Sequence, residues 1–537
     1  MYLREALRVR RKAVIAFVGG GGKTTAMFRL ADELAARGWR VISTTTTRLF
    51  EAQAAQAPTI VSTDALETLT ARLDIHGHVL VAAPPTGDTK RLGIAPEMVD
   101  ALAARPDVDA VIVEADGSRR RPFKAPADFE PVVPAATTHL VPVVGVDAVG
   151  RPLDGNHVHR PERVMALTGA LPGVPVSAEL VARVLAHPKG GAKGRPPGAR
   201  LVPLVNRVER PAHLAVAREL AGRLLEHRPI DGVLIGAVRN DPPVHEVWER
   251  VAGIVLAAGM ATRFGAPKQL LPWKGTAMVD HVAGVAVEAG LSPVIVVIGH
   301  EADRVGKAVA SRPVRVVVNP DYAKGQSTSV RRGIEAVPAS CGAAIFLLAD
   351  QPSITPQVIR RLVQAHRETL APIVAPTYAG RRATPCSSTA PSSRRCTPCP
   401  ATREDGRSSR STVTGCSGSP LTSRPFSRTS TRRKITTGPA QDRQPTHTPG
   451  STAGSASQPC PPAVWEEAWP SDYCSMTAMF TWPSRASTEM MYVFPSLDTW
   501  NMPVPGPVNV CSTVNPLAGR ASSKKVITSS TLMSLTV

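Results

Sequence analysis

Two stretches of this chain carry residues whose types and spacing suit work on phosphate esters. The first is Gly19-Gly20-Gly21-Gly22-Lys23-Thr24-Thr25, which follows the apolar run 13–18 and leads into an amphipathic segment, 26–37, stopped by Gly38. Glycines let a backbone turn its N–H groups onto a phosphate, while Lys23 supplies charge and Thr24 a hydroxyl for Mg²⁺. The usual phosphate-loop spacing asks for glycine at Phe17, so this chain must turn directly out of its strand, as in a G-G-x-G-K-T form. The second stretch is Leu256-Ala257-Ala258-Gly259-Met260-Ala261-Thr262-Arg263-Phe264-Gly265-Ala266-Pro267-Lys268. Small residues let this backbone wrap a nucleoside triphosphate, and Arg263 and Lys268 are spaced to meet its phosphates. Further on, the apolar run 343–349 delivers Asp350-Gln351-Pro352. A carboxylate there is a natural Mg²⁺ ligand for attack at an α-phosphate.

Such residues must be held at the carboxyl ends of parallel strands. Apolar runs at 13–18, 40–43 and 109–113 read as strands of a first sheet, and the third ends in Glu114-Ala115-Asp116. Asp116 is then placed as the second acidic motif that a nucleotide-bound Mg²⁺ needs. Thr44 to Thr47 read either as β-propensity alone or as hydroxyls offered to phosphate or metal, and Arg119 to Arg121 either as a solvated loop or as a phosphate contact. After the breaker cluster 240–243 the alternation restarts. Strands at 253–256, 293–298, 314–318 and 343–349 alternate with helices near 278–290 and 301–310. Asn319 and Ser329, in N-P-D-Y-A-K-G-Q-S-T-S-V-R-R-G, read as nucleotide contacts or, for the serines, as helix caps. The expected fold is α/β, with a P-loop NTPase-like parallel sheet over 1–245, a Rossmann-like nucleotidyltransferase domain over 250–382 and a disordered tail over 383–537.

The 537 residues carry a net charge of +20. In 1–382 the positive charge is dispersed as on a solvated surface, which argues against a nucleic-acid partner. Seven of the eight cysteines lie after residue 382, where Cys396 and Cys399 have no second pair at zinc-ribbon spacing. The basic start is followed by only six apolar residues, 13–18, and no small-residue cleavage site, so it reads as a strand and not as a secretory signal. No apolar run approaches the ~20 residues of a membrane span. The expected location is cytoplasmic.

V-G-G-G-G-K-T-T, T-T-T-T-R, E-A-D-G-S…K-A-P, the run 143–162 (V-V-G-V-D-A-V-G-R-P-L-D…H-V-H-R-P-E) and V-R-N-D-P-P at 238–243 occur in order over residues 8–245. Together they resemble the selenium-dependent hydroxylase accessory family, phosphate-loop proteins found beside molybdenum hydroxylase genes. The resemblance implies ATP or GTP at Gly19 to Thr25, with His157 and His159 open as metal ligands or as structural residues. The set L-A-A-G-M-A-T-R-F-G-A-P-K-Q-L-L, N-P-D-Y-A-K-G-Q-S-T-S-V-R-R-G and A-D-Q-P resembles the molybdenum cofactor cytidylyltransferase family of MobA-like NTP transferases. Carried over by position, Ala257, Ala258 and Gly259 would hold the nucleotide, Arg263 and Lys268 its phosphates, and Asp350 the Mg²⁺. The implied reaction passes CMP from CTP to molybdopterin with release of pyrophosphate, and the implied partner is a molybdenum hydroxylase apo-enzyme. An alternative of another class is an NTP-gated factor that delivers or inserts the cofactor. CTP against GTP, and the exact acceptor, stay open.

The transferase resemblance stops near Arg382. The family would continue with G-N-P-V-L-F and close on D-I-D-T-P-E-D-Y, whose acidic residues complete the metal site. This chain continues instead with Ala383-Thr384-Pro385-Cys386-Ser387-Ser388. Permitted codons for residues 382–391, read from the last base of the arginine codon, spell G-N-P-V-L-F. Those for 428–436, R-T-S-T-R-R-K-I-T, read in the same phase, spell D-I-D-T-P-E-D-Y. Residues 383–437 therefore read as a frame-shifted translation, with read-through beyond it.

Overall fold

The computed structural model describes residues 1–85, 89–260 and 266–378, and beyond them only the short strands 381–382, 478–481, 489–492 and 533–536. Strand β1, Ala13–Gly19, is buried at every position before the loop, as a strand covered on both faces requires. Its period of two sorts the side chains: Val14, Ala16 and Val18 join one core, Ala13, Ile15 and Phe17 the other. The second core includes Met27, Leu30 and Leu34 of helix α1, Lys23–Ala35. The helix starts inside the glycine loop, so the chain turns from strand to helix with no intervening segment.

The first sheet is built from β1 with β2 (Val41–Thr45), β3 (Ile60–Ser62), β4 (His78–Ala82), β5 (Ala110–Glu114), β6 (His139–Gly145), β7 (Leu204–Asn206), β8 (Val233–Gly236) and β9 (Val244–Trp248). The strand order is β9-β8-β7-β6-β1-β5-β2-β4-β3, with Arg200–Leu201 as a further member beside β6. All pairs are parallel except β8 with β9. The loop strand is thus central, flanked by β5, which ends in Glu114, and by β6. Helix α2, Pro211–Glu226, returns the chain from β7 to β8.

The second sheet holds β10 (Arg250–Ala257), β11 (Val294–Ile298), β12 (Val314–Val318), β13 (Cys341–Leu348), β14 (Ile373–Val374) and β15 (Ala478–Thr481), in the order β12-β11-β10-β13-β15-β14. Helix α3, Gln326–Glu335, follows β12 and helix α4, Pro356–Thr369, follows β13. Strand β15 is a short ordered piece of the tail that the sequence marks as largely disordered, and it pairs antiparallel with both β13 and β14. This four-residue strand pairs the middle of β13's far edge, Ala343 to Phe346. Strands 489–492 and 533–536 pair with each other, and the rest of the tail lies outside the described residues.

The sequence expects a break at 240–243, yet β9 carries the first sheet on to Trp248 and β10 begins at Arg250. Glu249, between them, is buried and receives Arg8 at 2.6 Å and Arg200 at 3.4 Å, with His366 of α4 at 4.0 Å. Arg367 of α4 stacks on Trp248 at 3.5 Å and Gln364 donates to Glu246 at 2.9 Å. No described helix is long and apolar enough to cross a membrane.

Candidate nucleotide sites

Gly19, Gly21 and Gly22 take φ of 92°, 81° and 122°, a region that side chains with a Cβ avoid. A Cβ on Gly21 would also run into the backbone of Gly145, at the end of β6. The loop is held by backbone bonds from Gly20 N–H to Val143 at 2.8 Å and from Gly21 N–H to Arg121 at 3.1 Å. The arginine loop therefore contributes its backbone here, while Arg120 rests over the Phe50 ring.

Lys23 is 3% exposed, an uncommon place for an ammonium group unless it is paired. It donates to Gly19 O at 2.7 Å and lies 3.3 Å from Asp116 and 3.6 Å from Glu114. Burial works against its charge, but Asp116 and Glu114 outweigh that and hold its pKa above the ordinary value. Burial in turn pushes the Glu114 carboxyl up, with Lys23 and the Thr24 hydroxyl only partly offsetting it. Thr24 donates to Glu114 at 2.6 Å, so the hydroxyl expected at the metal meets Glu114. Asp116 is occupied differently: it accepts from Gly19 N–H at 3.0 Å and pairs with Lys124 at 2.9 Å. Thr25 is half-buried in the first turn of α1.

Lys124, Glu130 and Arg160 form a further layer, to which the sequence motifs containing Lys124 and Arg160 assign no role. Lys124 reaches Glu130 at 2.7 Å and Arg160 reaches it at 2.7 Å. Although burial opposes it, these two cations hold the Glu130 pKa down at about 2. The strand pairing of Phe123–Lys124 with Val158–His159 brings the segments together. His159 is held neutral, at about 4, by burial and by Arg160 and Lys124, while His157 bonds to Asp154 at 2.8 Å. Among the described residues no group of three or more His, Cys, Asp or Glu side chains gathers as a metal site. The threonines are also spent locally: Thr44, Thr45 and Thr46 donate to the carbonyls of Val81, Glu114 and Val132. A buried residue that no motif flagged closes the loop from the other side. Asn206, at the end of β7, donates to Gly21 O at 2.8 Å and accepts from Val238 N–H at 3.0 Å.

In the second sheet Ala257 and Ala258 are buried at the end of β10, and Gly259 and Met260 are exposed beyond it. Gln269, buried and unanticipated, donates to the carbonyls of Ala257 and Gly259, both at 3.3 Å. Lys268 opens that same short turn, Lys268–Leu270, half-buried. Arg263 lies outside the described residues. Asn319, at the end of β12, donates to Ser329 and Thr328, each at 2.9 Å, and accepts from Asp321 N–H at 3.0 Å. Asn319 and Ser329 are thus brought together as a buried pair that fixes the loop before α3. Asp350 is exposed just past β13, next to β10, where Ala349 N–H bonds to Leu256 O at 3.1 Å. Of the residues expected at this site, Ala257 to Gly259, Asn319 and Asp350 lie at the carboxyl edge of one sheet.

Comparison with known proteins supports both halves. The family described as YqeC protein matches residues 15–162, and the MobA-like NTP transferase domain family matches 253–414, a span that runs past Arg382. The uncharacterized protein YqeC of Escherichia coli K12 is 32% identical over 239 residues, covering 44% of this chain and 91% of that protein. Nicotine blue oxidoreductase of Paenarthrobacter nicotinovorans is 34% identical over 118 residues, 22% of this chain, which spans 57% of that enzyme's length. Among solved structures, a nucleotidyl transferase from Methanothermobacter thermautotroptrophicus is 30% identical over 21% of this chain and 57% of its own, with a TM-score of 0.21.

Proposed function

Since the chain belongs to the YqeC family, the selenium-dependent hydroxylase accessory family, and carries a MobA-like NTP transferase domain after it, we propose that it matures the molybdenum cofactor. Its second half is a nucleotidyltransferase-type domain, and in our reading it transfers CMP from CTP to the terminal phosphate of the molybdopterin that carries molybdenum. The observation that carries it is the common carboxyl edge where the Ala257–Gly259 backbone, Gln269 beneath it and exposed Asp350 meet. An oxygen of the terminal phosphate of molybdopterin attacks the α-phosphorus of CTP. The new P–O bond forms as the bond to the bridging oxygen breaks, and pyrophosphate leaves with that electron pair. Chemistry of this kind is mostly positioning and charge neutralisation, so no nucleophilic side chain is needed.

Asp350 fits a Mg²⁺ site, because its carboxylate is exposed and has no ion pair among the described residues. When bound there, the ion would neutralise charge on the departing pyrophosphate. The chain's own contribution is to wrap the triphosphate with 257–259, to hold that wrap with Gln269, and to fix the opposite loop through Asn319 and Ser329. At the first site Thr24 and Glu114 are the groups that would hold a nucleotide-bound Mg²⁺.

In this reading residues 383–437 are a frame-shifted translation, so the acidic motif that completes the transferase site is missing. Restoring the frame and measuring pyrophosphate release with molybdopterin across a nucleotide panel tests it. The expected result is CTP-selective release by the repaired protein and little from the chain as it stands; equal rates from the two would refute the loss.

A second reading, delivery of matured cofactor to a molybdenum hydroxylase gated by nucleotide at Lys23, draws on the buried Glu249 junction, which gathers Arg8 and Arg200 from the first sheet's side and His366 from α4. Co-purification with an apo-hydroxylase that survives Asp350→Ala but not Lys23→Ala would favour it.

A further inference from the structure

The phosphate loop has a candidate base-reading element that none of its motifs announces. Asn206-Arg207-Val208-Glu209 follows β7, and β7 is two strands from β1 across the sheet. At about 4.8 Å per strand its end lies roughly 10 Å from the loop strand, the span of a nucleoside lying along the carboxyl edge. Asn206 is 3% exposed and ties this segment to the loop itself through Gly21 O, at 2.8 Å, and to Val238 N–H, at 3.0 Å.

Arg207 adopts a left-handed backbone, φ 64°, unusual for a side chain of its size. The conformation is fixed from outside: His213 of α2 bonds to Arg207 O at 3.1 Å, and the guanidinium donates to Asp147 at 2.7 Å. The arginine stem lies along Gly145, where a Cβ would sit 3.2 Å from Arg207 Cδ and also clash with Asp147. Gly145 in turn abuts Gly21 of the phosphate loop. A flat apolar stem is therefore pinned beside the loop, the kind of surface on which a purine face stacks. Asp147 Oδ1 is a buried acceptor with no hydrogen-bond partner among the described residues. Glu209, three residues beyond Asn206, is exposed; its N–H bonds to Arg207 O at 3.0 Å, and its carboxylate has no partner among the described residues.

We propose that Asn206 to Glu209 read the base of the nucleotide held by Gly19 to Thr25, and that this base is guanine, with Arg207 under its face and Glu209 on its edge. The proposal rests on the phosphate-loop reading of the first site. Guanine presents two adjacent donors, N1–H and the 2-amino group, which a carboxylate accepts in a bidentate pair. Adenine presents a lone pair at N1 to the same oxygens, so a carboxylate repels it. Xanthine carries N1–H beside a 2-oxo acceptor, which suits an amide in place of the acid.

Binding of fluorescent GDP, ADP and XDP analogues to the full chain tests this. The Lys23→Ala variant is subtracted so that the transferase site does not contribute. The expected result is Lys23-dependent GDP binding roughly tenfold or more tighter than ADP, with Glu209→Gln losing that preference and favouring XDP. Lys23-dependent binding of ADP as tight as GDP, or a Glu209→Gln variant with an unchanged ratio, overturns the base assignment and leaves the phosphate loop standing. Absence of Lys23-dependent binding by any nucleotide overturns both.

Discussion

The two candidate sites sit at equivalent edges of two α/β sheets and are prepared in opposite ways. At the first, Lys23 is sealed against Asp116 and Glu114, Thr24 faces Glu114, and Lys124 and Arg160 enclose Glu130. Every buried charge there has a partner, so a nucleotide must displace existing contacts, and Lys23 must exchange carboxylates for phosphate. At the second, Gly259 and Asp350 face solvent, and the buried polar groups Asn319, Ser329 and Gln269 act behind the surface. A site wired to itself suits a state that changes when ligand arrives, while an open one suits turnover of substrates that bring their own charge and metal.

The contrast can be broken most sharply by exchanging lesions. In the frame-restored protein, Asp350→Ala is expected to lower pyrophosphate release by roughly a hundredfold or more, and Lys23→Ala to leave it nearly unchanged. Nucleotide binding at the first site should show the reverse, by titration of the same two variants. Next in size is the junction. Glu249→Gln leaves Arg8 and Arg200 without their buried counter-charge and should cost about 3 kcal/mol in urea unfolding. A loss confined to one transition in a two-transition unfolding curve would show that the junction does not couple the sheets.

Asn206→Ala should cost about 2 kcal/mol, because the Gly21 carbonyl and the Val238 N–H lose their buried partner. It should weaken first-site nucleotide binding while leaving pyrophosphate release intact. The smallest effect is set by pH. Burial pushes His366 down to about 4, with Arg8 adding to it, so the folded protein binds fewer protons there than the unfolded chain. Its contribution is present above the unfolded value near 6.5 and is lost as pH falls toward 4, with on the order of 2 kcal/mol of the loss falling between pH 7 and pH 5. Urea midpoints at pH 7 and pH 5 measure it, and His366→Leu should flatten the difference. His139, also held at about 4 by burial, sets a background slope in the same direction.

Much of this was legible in the sequence because strong local signals coincide with the fold. The uninterrupted apolar run of β1 followed by glycines and Lys23 admits few structures, and the strands at 314–318 and 341–348 announce themselves by composition. What stayed hidden depends on long-range pairing. Nothing near Asn206 in sequence shows that its amide will meet Gly21, 185 residues away. Glu130 and Arg160 are 30 residues apart and meet only because two two-residue strands align. Gln269 reads in sequence as part of the loop motif, yet it works from beneath, bonding the loop's carbonyls. Thr44 to Thr46, which the sequence leaves open between strand formers and phosphate contacts, spend their donors on the carbonyls of Val81 and Glu114 in neighbouring strands and of Val132 in a loop. The Asp241-Pro242-Pro243 breaker reads in sequence as a domain's end, whereas it is the turn into 244–248, the first sheet's antiparallel edge.

In the function proposed above, the second sheet carries a cytidylyltransferase acting on the molybdenum cofactor. The most direct measurement is transfer of label from CTP, marked at the α-phosphate, onto molybdopterin by the frame-restored protein. Acceptor-dependent incorporation of CMP is expected, and it should disappear with Asp350→Ala and persist with Lys23→Ala. Incorporation that is independent of molybdopterin, or that survives Asp350→Ala, would contradict it.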